Sequence, residues 1–126
     1  MPHSANLNSL RIAFLVHAVV DYTVGLPLFF APAYFADLAG MPEAPIVLLR
    51  LVAAALFGIG GISFLVRNEP KKVFVALLRL KLIWSGVAII ALGIALATSP
   101  FNLIMTSAFI LFILFFLMWT AFLVHR

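Results

Sequence analysis

NLIMTSAFILFILFFLMWTAFLV, residues 102–124, carries no charged side chain, and its hydroxyl and amide groups are confined to Asn102, Thr106, Ser107 and Thr120. Wound as a helix at ~1.5 Å per residue, such a run is long enough for the ~30 Å hydrocarbon core of a bilayer. Three more blocks of the same kind precede it, at about 10–30, 46–66 and 80–98, in a chain of 126 residues that is 66% hydrophobic. In lipid every backbone N–H and C=O must find a partner inside its own segment, so blocks of this length predict helices. The expected fold is all-α: a single domain over 1–126 forming an integral membrane four-helix up-down bundle.

Four spans and their turns use nearly the whole chain, which leaves no room for a soluble catalytic module. The formal charge of +4 would point to nucleic acid in a soluble protein. Here the basic residues flank apolar blocks and set orientation instead, and no nucleic-acid partner is expected. The chain has no cysteine, which removes thiolate nucleophiles, disulfide exchange and cysteine metal sites. The first block contains His17 and Asp21 where a cleaved signal has an uninterrupted apolar core, and only Arg11 stands before it, so a retained first helix is expected.

Punctuation divides the blocks. Asn8 or Ser9, at the end of a polar lead running from His3, is expected to cap the first helix. Pro27, after Gly25 and Leu26, is expected to kink or end it, because proline lacks the amide donor and crowds the preceding turn. Pro32 and Gly40 bracket a short candidate helix, Ala33 to Leu38, with Tyr34, Phe35 and Leu38 on an apolar side suited to the headgroup layer; a structured loop is the alternative. Met41 to Pro45 resists helix, and Asn68 to Lys72 is the clearest break in the chain. The third long helix starts near Lys71, and Arg79 and Lys81 are expected to snorkel from its first turns. Ser99 to Asn102 is so short that the last two helices should be antiparallel neighbours.

With the amino terminus in the cytoplasm, Arg11, Arg67, Lys71, Lys72, Arg79, Lys81 and Arg126 fall inside, while Arg50, Asp37 and Glu43 fall outside. The positive-inside rule therefore places both termini in the cytoplasm. Trp84 and Trp119 lie near the inner helix ends in this arrangement, where indole rings anchor.

The polar residues inside the spans are the candidate site. His17 and Asp21 are four apart and share a helical face. They could hydrogen-bond as packing glue, serve a proton or ion pathway, or offer His17 as an axial ligand to a tetrapyrrole or haem; the cofactor is unknown. No metal site is expected, since two ligands are too few and His3 and His125 lie at the chain ends. Arg50 is the natural partner for Asp21, with snorkelling to headgroups as the alternative. Ala54, Gly58 and Gly61 in the second span, with Gly86 and Gly93 in the third, form small-residue faces for helix packing or homo-oligomer contact. Phe109, Phe112 and Phe116 in the fourth are expected to face lipid or a partner.

The order His17, then a Gly25 and Pro27 or Pro32 exit, then LRLVAAALFGIG at 49–60 with its leading Arg50, resembles small four-helix bacterial and archaeal membrane proteins of the DoxX-like kind. The resemblance covers most of the chain. It implies an up-down bundle, and in DoxX-type relatives a link to redox complexes as accessory subunits. The expected function is a non-catalytic membrane subunit binding partner helices, lipid or a hydrophobic molecule, as part of a larger complex or a homo-oligomer. The alternative is a small oligomeric transporter or channel using His17 and Asp21; the lack of a membrane-embedded glutamate and of polar pore-lining residues weighs against it.

Overall fold

A computed structural model describes the backbone of residues 2–125 and the side chains of residues 7–125. Arg126, counted above among the inner basic residues, and the side chain of His3 lie outside the described residues. Regular structure is helical throughout: α1 (Pro2–Phe30), α2 (Pro32–Leu38), α3 (Ile46–Leu65), α4 (Lys71–Thr98) and α5 (Leu103–Val124). Four of these are long and apolar enough to cross a membrane, over Leu7–Phe30, Ile46–Leu65, Lys71–Thr98 and Leu103–Val124.

One expectation about α1 is corrected, and of the two alternatives for Pro27 the structure rules out termination. Its helix already includes Pro2 to Ser9, so neither Asn8 nor Ser9 caps it. Pro27 lies inside the helix, which continues through an Ala31 N–H donating to the Pro27 carbonyl at 2.8 Å. Pro32 ends the helix instead: the ring of a proline disfavours the α conformation in the residue before it, and Ala31 sits at φ −133°, ψ 57°. Pro32 then occupies the first turn of α2, where its missing N–H removes nothing.

The α2 helix closes on Gly40, whose φ of 74° is a left-handed conformation that glycine adopts without a Cβ penalty. The Gly40 N–H reaches Asp37 O at 3.1 Å and Met41 N–H reaches Ala36 O at 2.8 Å, the paired bonds of a Schellman closure. The side of α2 turned inward is Pro32 and Ala36; Tyr34 and Leu38 are exposed.

The chain divides into two compact units, Met1–Glu69 and Pro70–Arg126, at the polar turn marked by the sequence. Within the first, α1 and α3 run antiparallel: Phe29 lies beside Arg50, Tyr22 beside Phe57 and Asp21 beside Gly60. The buried positions of α1 include Leu10, Phe14, His17, Asp21, Gly25 and Leu28, a stripe at helical spacing. Those of α3 are Ala53, Leu56, Gly60 and Ser63.

Within the second unit α4 and α5 are also antiparallel, with Gly93 beside Phe109, Gly86 beside Phe116 and Lys81 beside Trp119. The Asn102 side chain caps α5 by accepting from the Met105 N–H at 2.9 Å. Pro70 and Pro45 stand immediately before α4 and α3 in extended conformation, so proline sets the entry of both.

Candidate functional site

The buried polar residues of α1 are brought together. His17 and Asp21 are 2% and 4% exposed, and His17 Nε2 lies 3.4 Å from Asp21 Oδ1. One helical turn separates them, so the contact is local and needs no other element to form.

At the level of Asp21, α3 presents the bare backbone of Gly60. A Cβ built on Gly60 would stand 2.8 Å from the Asp21 Cβ and 3.4 Å from the Ala18 carbonyl oxygen. The glycine therefore lets α1 and α3 meet at the level of the carboxylate, and Asp21 is seated against main chain. One turn away, the Tyr22 hydroxyl donates to the Phe57 carbonyl at 3.0 Å and its ring stacks on Phe57 at 5.1 Å. Gly61 leaves room for that bond, since a Cβ there would be 3.0 Å from the Tyr22 oxygen. Gly25, read from the sequence as part of a helix exit, lies inside α1 and is a seat for the Phe57 ring, whose Cε1 would be 2.8 Å from an added Cβ.

Hydroxyls along the helices are turned to their own backbone. Thr23 donates to Val19 O and Ser63 to Ile59 O, both at 2.7 Å. Ser85 likewise donates to Lys81 O at 2.7 Å, and Thr120 to Phe116 O at 2.8 Å. A hydroxyl has one proton, and these protons are directed to carbonyls one turn back.

Arg50 does not join the pair. Its Nε donates to the Phe29 carbonyl at 3.1 Å and its guanidinium carbon lies 5.7 Å from the Phe29 ring centroid. Phe29 is two helical turns beyond Asp21 on α1, about 12 Å along the axis at ~1.5 Å per residue, and this separation decides the matter. The arginine is drawn to the end of α1 because the last carbonyls of a helix lack intrahelical donors.

The small-residue face is also shifted. Ala54 and Gly58 are exposed, and a Cβ on Gly58 would have nothing within 4 Å. The buried face of α3 lies instead on Ala53, Leu56, Gly60 and Ser63. In the second unit, added Cβ atoms on Gly86 and Gly93 would meet the rings of Phe116 at 3.4 Å and Phe109 at 3.5 Å.

Those contacts correct the reading of the phenylalanines. Phe109, Phe112 and Phe116 are half-buried and turned toward α4, with Phe112 edge-on to Trp84 at 6.2 Å. The side of α5 left exposed is aliphatic: Leu103, Ile110, Leu114, Leu117 and Val124, with Ser107 and Ala121 completing the line. Steps of four and three alternate along it, a 3.5-residue repeat.

Lys81 is the residue missed from the sequence. It is 1% exposed, with Nζ 5.0 Å from the Trp119 ring centroid, and Trp119 itself is buried and stacked on Phe115 at 5.6 Å. Lysine therefore does not snorkel here, and the Trp119 indole is an internal platform and not an interfacial anchor. Lys81 shares the buried stripe of α4 with Phe74, Leu78 and Ser85, spaced four, three and four apart, but Val73, Leu77, Leu80 and Trp84 offer an equally apolar face at the same spacing, so periodicity alone did not single it out. Arg79, two residues earlier, is exposed as expected.

Among the described residues no group of three or more His, Asp or Glu is placed to hold a metal ion. Comparison of the chain with protein-family models, curated proteins and solved structures gives no match.

Proposed function

We propose that this chain is an integral membrane protein with four spans and both termini in the cytoplasm, acting as a non-catalytic subunit that presents α5 to partner helices. This is the arrangement that the resemblance to small DoxX-like proteins implies. One observation carries the proposal: the exposed line Leu103, Ser107, Ile110, Leu114, Leu117, Ala121 and Val124 keeps a 3.5-residue repeat over the whole of α5. Contact with fluid lipid asks only that a face be apolar. A repeat of 3.5 keeps the same face against a neighbouring helix along its length, which is the requirement for helix–helix packing.

The test has two parts. Since the chain has no cysteine, single cysteines at Ala44 and Asn68 report sidedness without background; Ala44 is expected to label from outside and Asn68 from inside. Labelling of both from one side would remove the four-span topology. Replacing Ile110, Leu114 and Leu117 together by Ala is expected to abolish recovery of a stoichiometric partner in mild detergent while leaving helix content unchanged.

A transporter is the second reading, favoured by one observation, the buried 3.4 Å His17–Asp21 contact. It requires that His17→Ala stop proton or ion flux in liposomes while partner recovery is unchanged.

A further inference from the structure

Arg50 is the one basic residue between Arg11 and Arg67. It stands one turn into α3, with exposed Val47 one turn before it and exposed Leu51 next to it in the chain, so a positive charge is set into an otherwise apolar surface. Such a charge calls for a counter-charge at the same depth. No carboxylate of the described residues is within ion-pair distance of it; Asp37 and Glu43, the acidic residues of the α2 helix and the link after it, make no such contact.

The side chain is nonetheless held. The bond from Nε to the Phe29 carbonyl (3.1 Å) uses one of its five N–H donors, and the Phe29 ring backs the guanidinium at 5.7 Å. That ring is itself fixed between Phe30 at 5.2 Å and Phe57 at 6.0 Å. The four N–H groups of the two Nη atoms remain at an exposed edge, in the planar fork that matches two oxygens of a phosphate. A cation fixed at its inner edge and open at its outer one is built for an anion arriving from the surface. The exposed Val47 and Leu51 side chains beside it suit the chains of an amphiphile.

We propose that Arg50, held by the Phe29 carbonyl and backed by the Phe29 ring, binds the phosphate of a phospholipid whose acyl chains lie along Val47 and Leu51. The site rests on the membrane reading above but is independent of the partner surface on α5.

The full chain in mild detergent, titrated with phosphatidylglycerol and followed by native mass spectrometry, tests this. The wild type is expected to retain the phospholipid in preference to a diacylglycerol with the same chains. Arg50→Gln should weaken retention about tenfold, the scale of a lost charge-assisted contact. Arg50→Lys, which keeps the charge and loses the fork, should fall between. Lys72→Gln removes an exposed charge in the first turn of α4 that no aromatic ring or helix-end carbonyl among the described residues holds, and should change nothing. Equal retention by Arg50→Gln and wild type overturns the site, as does an equal loss in Lys72→Gln, which would reveal a general charge effect. Displacement of the lipid by millimolar inorganic phosphate would also overturn it, since the site would then hold a free anion. Carbonate-resistant membrane association, measured on the same variants, reports separately on the membrane reading.

Discussion

The two units solve the same packing problem with different side chains. In Met1–Glu69 the Phe57 ring lies over Gly25, but the helices α1 and α3 also meet at Gly60 with no ring between them, where an added Cβ would stand 2.8 Å from the Asp21 Cβ. In Pro70–Arg126 the helices α4 and α5 meet through phenylalanine rings laid over glycine, with the corresponding distances at 3.4 and 3.5 Å. Backbone-to-backbone contact is rigid, because the clashing atom at Gly60 is the Cβ of Asp21 and cannot rotate away. Ring-over-glycine contact is adjustable, because a ring can tilt by a few tenths of an ångström. The unit with the tighter contact is also the one that buries a carboxylate against main chain, and the lesson is that close approach and a buried polar group occur at one place.

The largest effect should come from Gly60→Ala. The added methyl must separate α1 from α3, and overpacking of this kind costs about 1–3 kcal/mol; Gly86→Ala, its counterpart in the second unit, should cost well under 1 kcal/mol. Reversible unfolding in detergent and mixed micelles measures both, and equal losses would erase the distinction between the units.

An intermediate effect is expected at the polar positions. Asp21→Ala should destabilise through loss of the His17 contact, and Arg50→Leu through loss of the Phe29 carbonyl bond, each by about 1 kcal/mol. Because Arg50 lies at the end of α1 and not beside Asp21, the double variant should show the sum of the two within about 0.5 kcal/mol. Recovery of stability in the double variant would show that the arginine does serve the carboxylate.

The smallest effect sharpens the comparison within α3. Gly58→Ala meets nothing within 4 Å and replaces a poor helix former by the best one, so a gain of up to about 1 kcal/mol is expected. A loss at Gly58 as large as that at Gly60 would mean that the exposed side of α3 is also a packing face in the assembled protein.

Much of this was legible in the sequence. The long apolar blocks predicted the helices, the Asn68–Lys72 turn marked the break between α3 and α4, and the spacing of His17 and Asp21 placed them together, since a contact over four residues is made by the helix alone. Local steric rules also carried information that a proline inventory alone misread. Pro27 was tolerated because it forfeits one hydrogen bond near a helix end, while Pro32 stopped α1 by restricting Ala31.

The sequence by itself determined that four helices are long and apolar enough to cross a membrane, because that depends only on the length and composition of each segment. Tertiary structure decided which face of each helix is inside. In so apolar a chain every face of α3, α4 and α5 is hydrophobic, so polarity does not distinguish packing face from exposed face, and the choice falls to shape. Hence Gly60 and not Gly58 meets α1, the phenylalanines of α5 turn to the glycines of α4, Lys81 lies over Trp119, and Arg50 goes to the Phe29 carbonyl. Each of these depends on the rotation and register of one helix against another, which residues far apart in the chain set together.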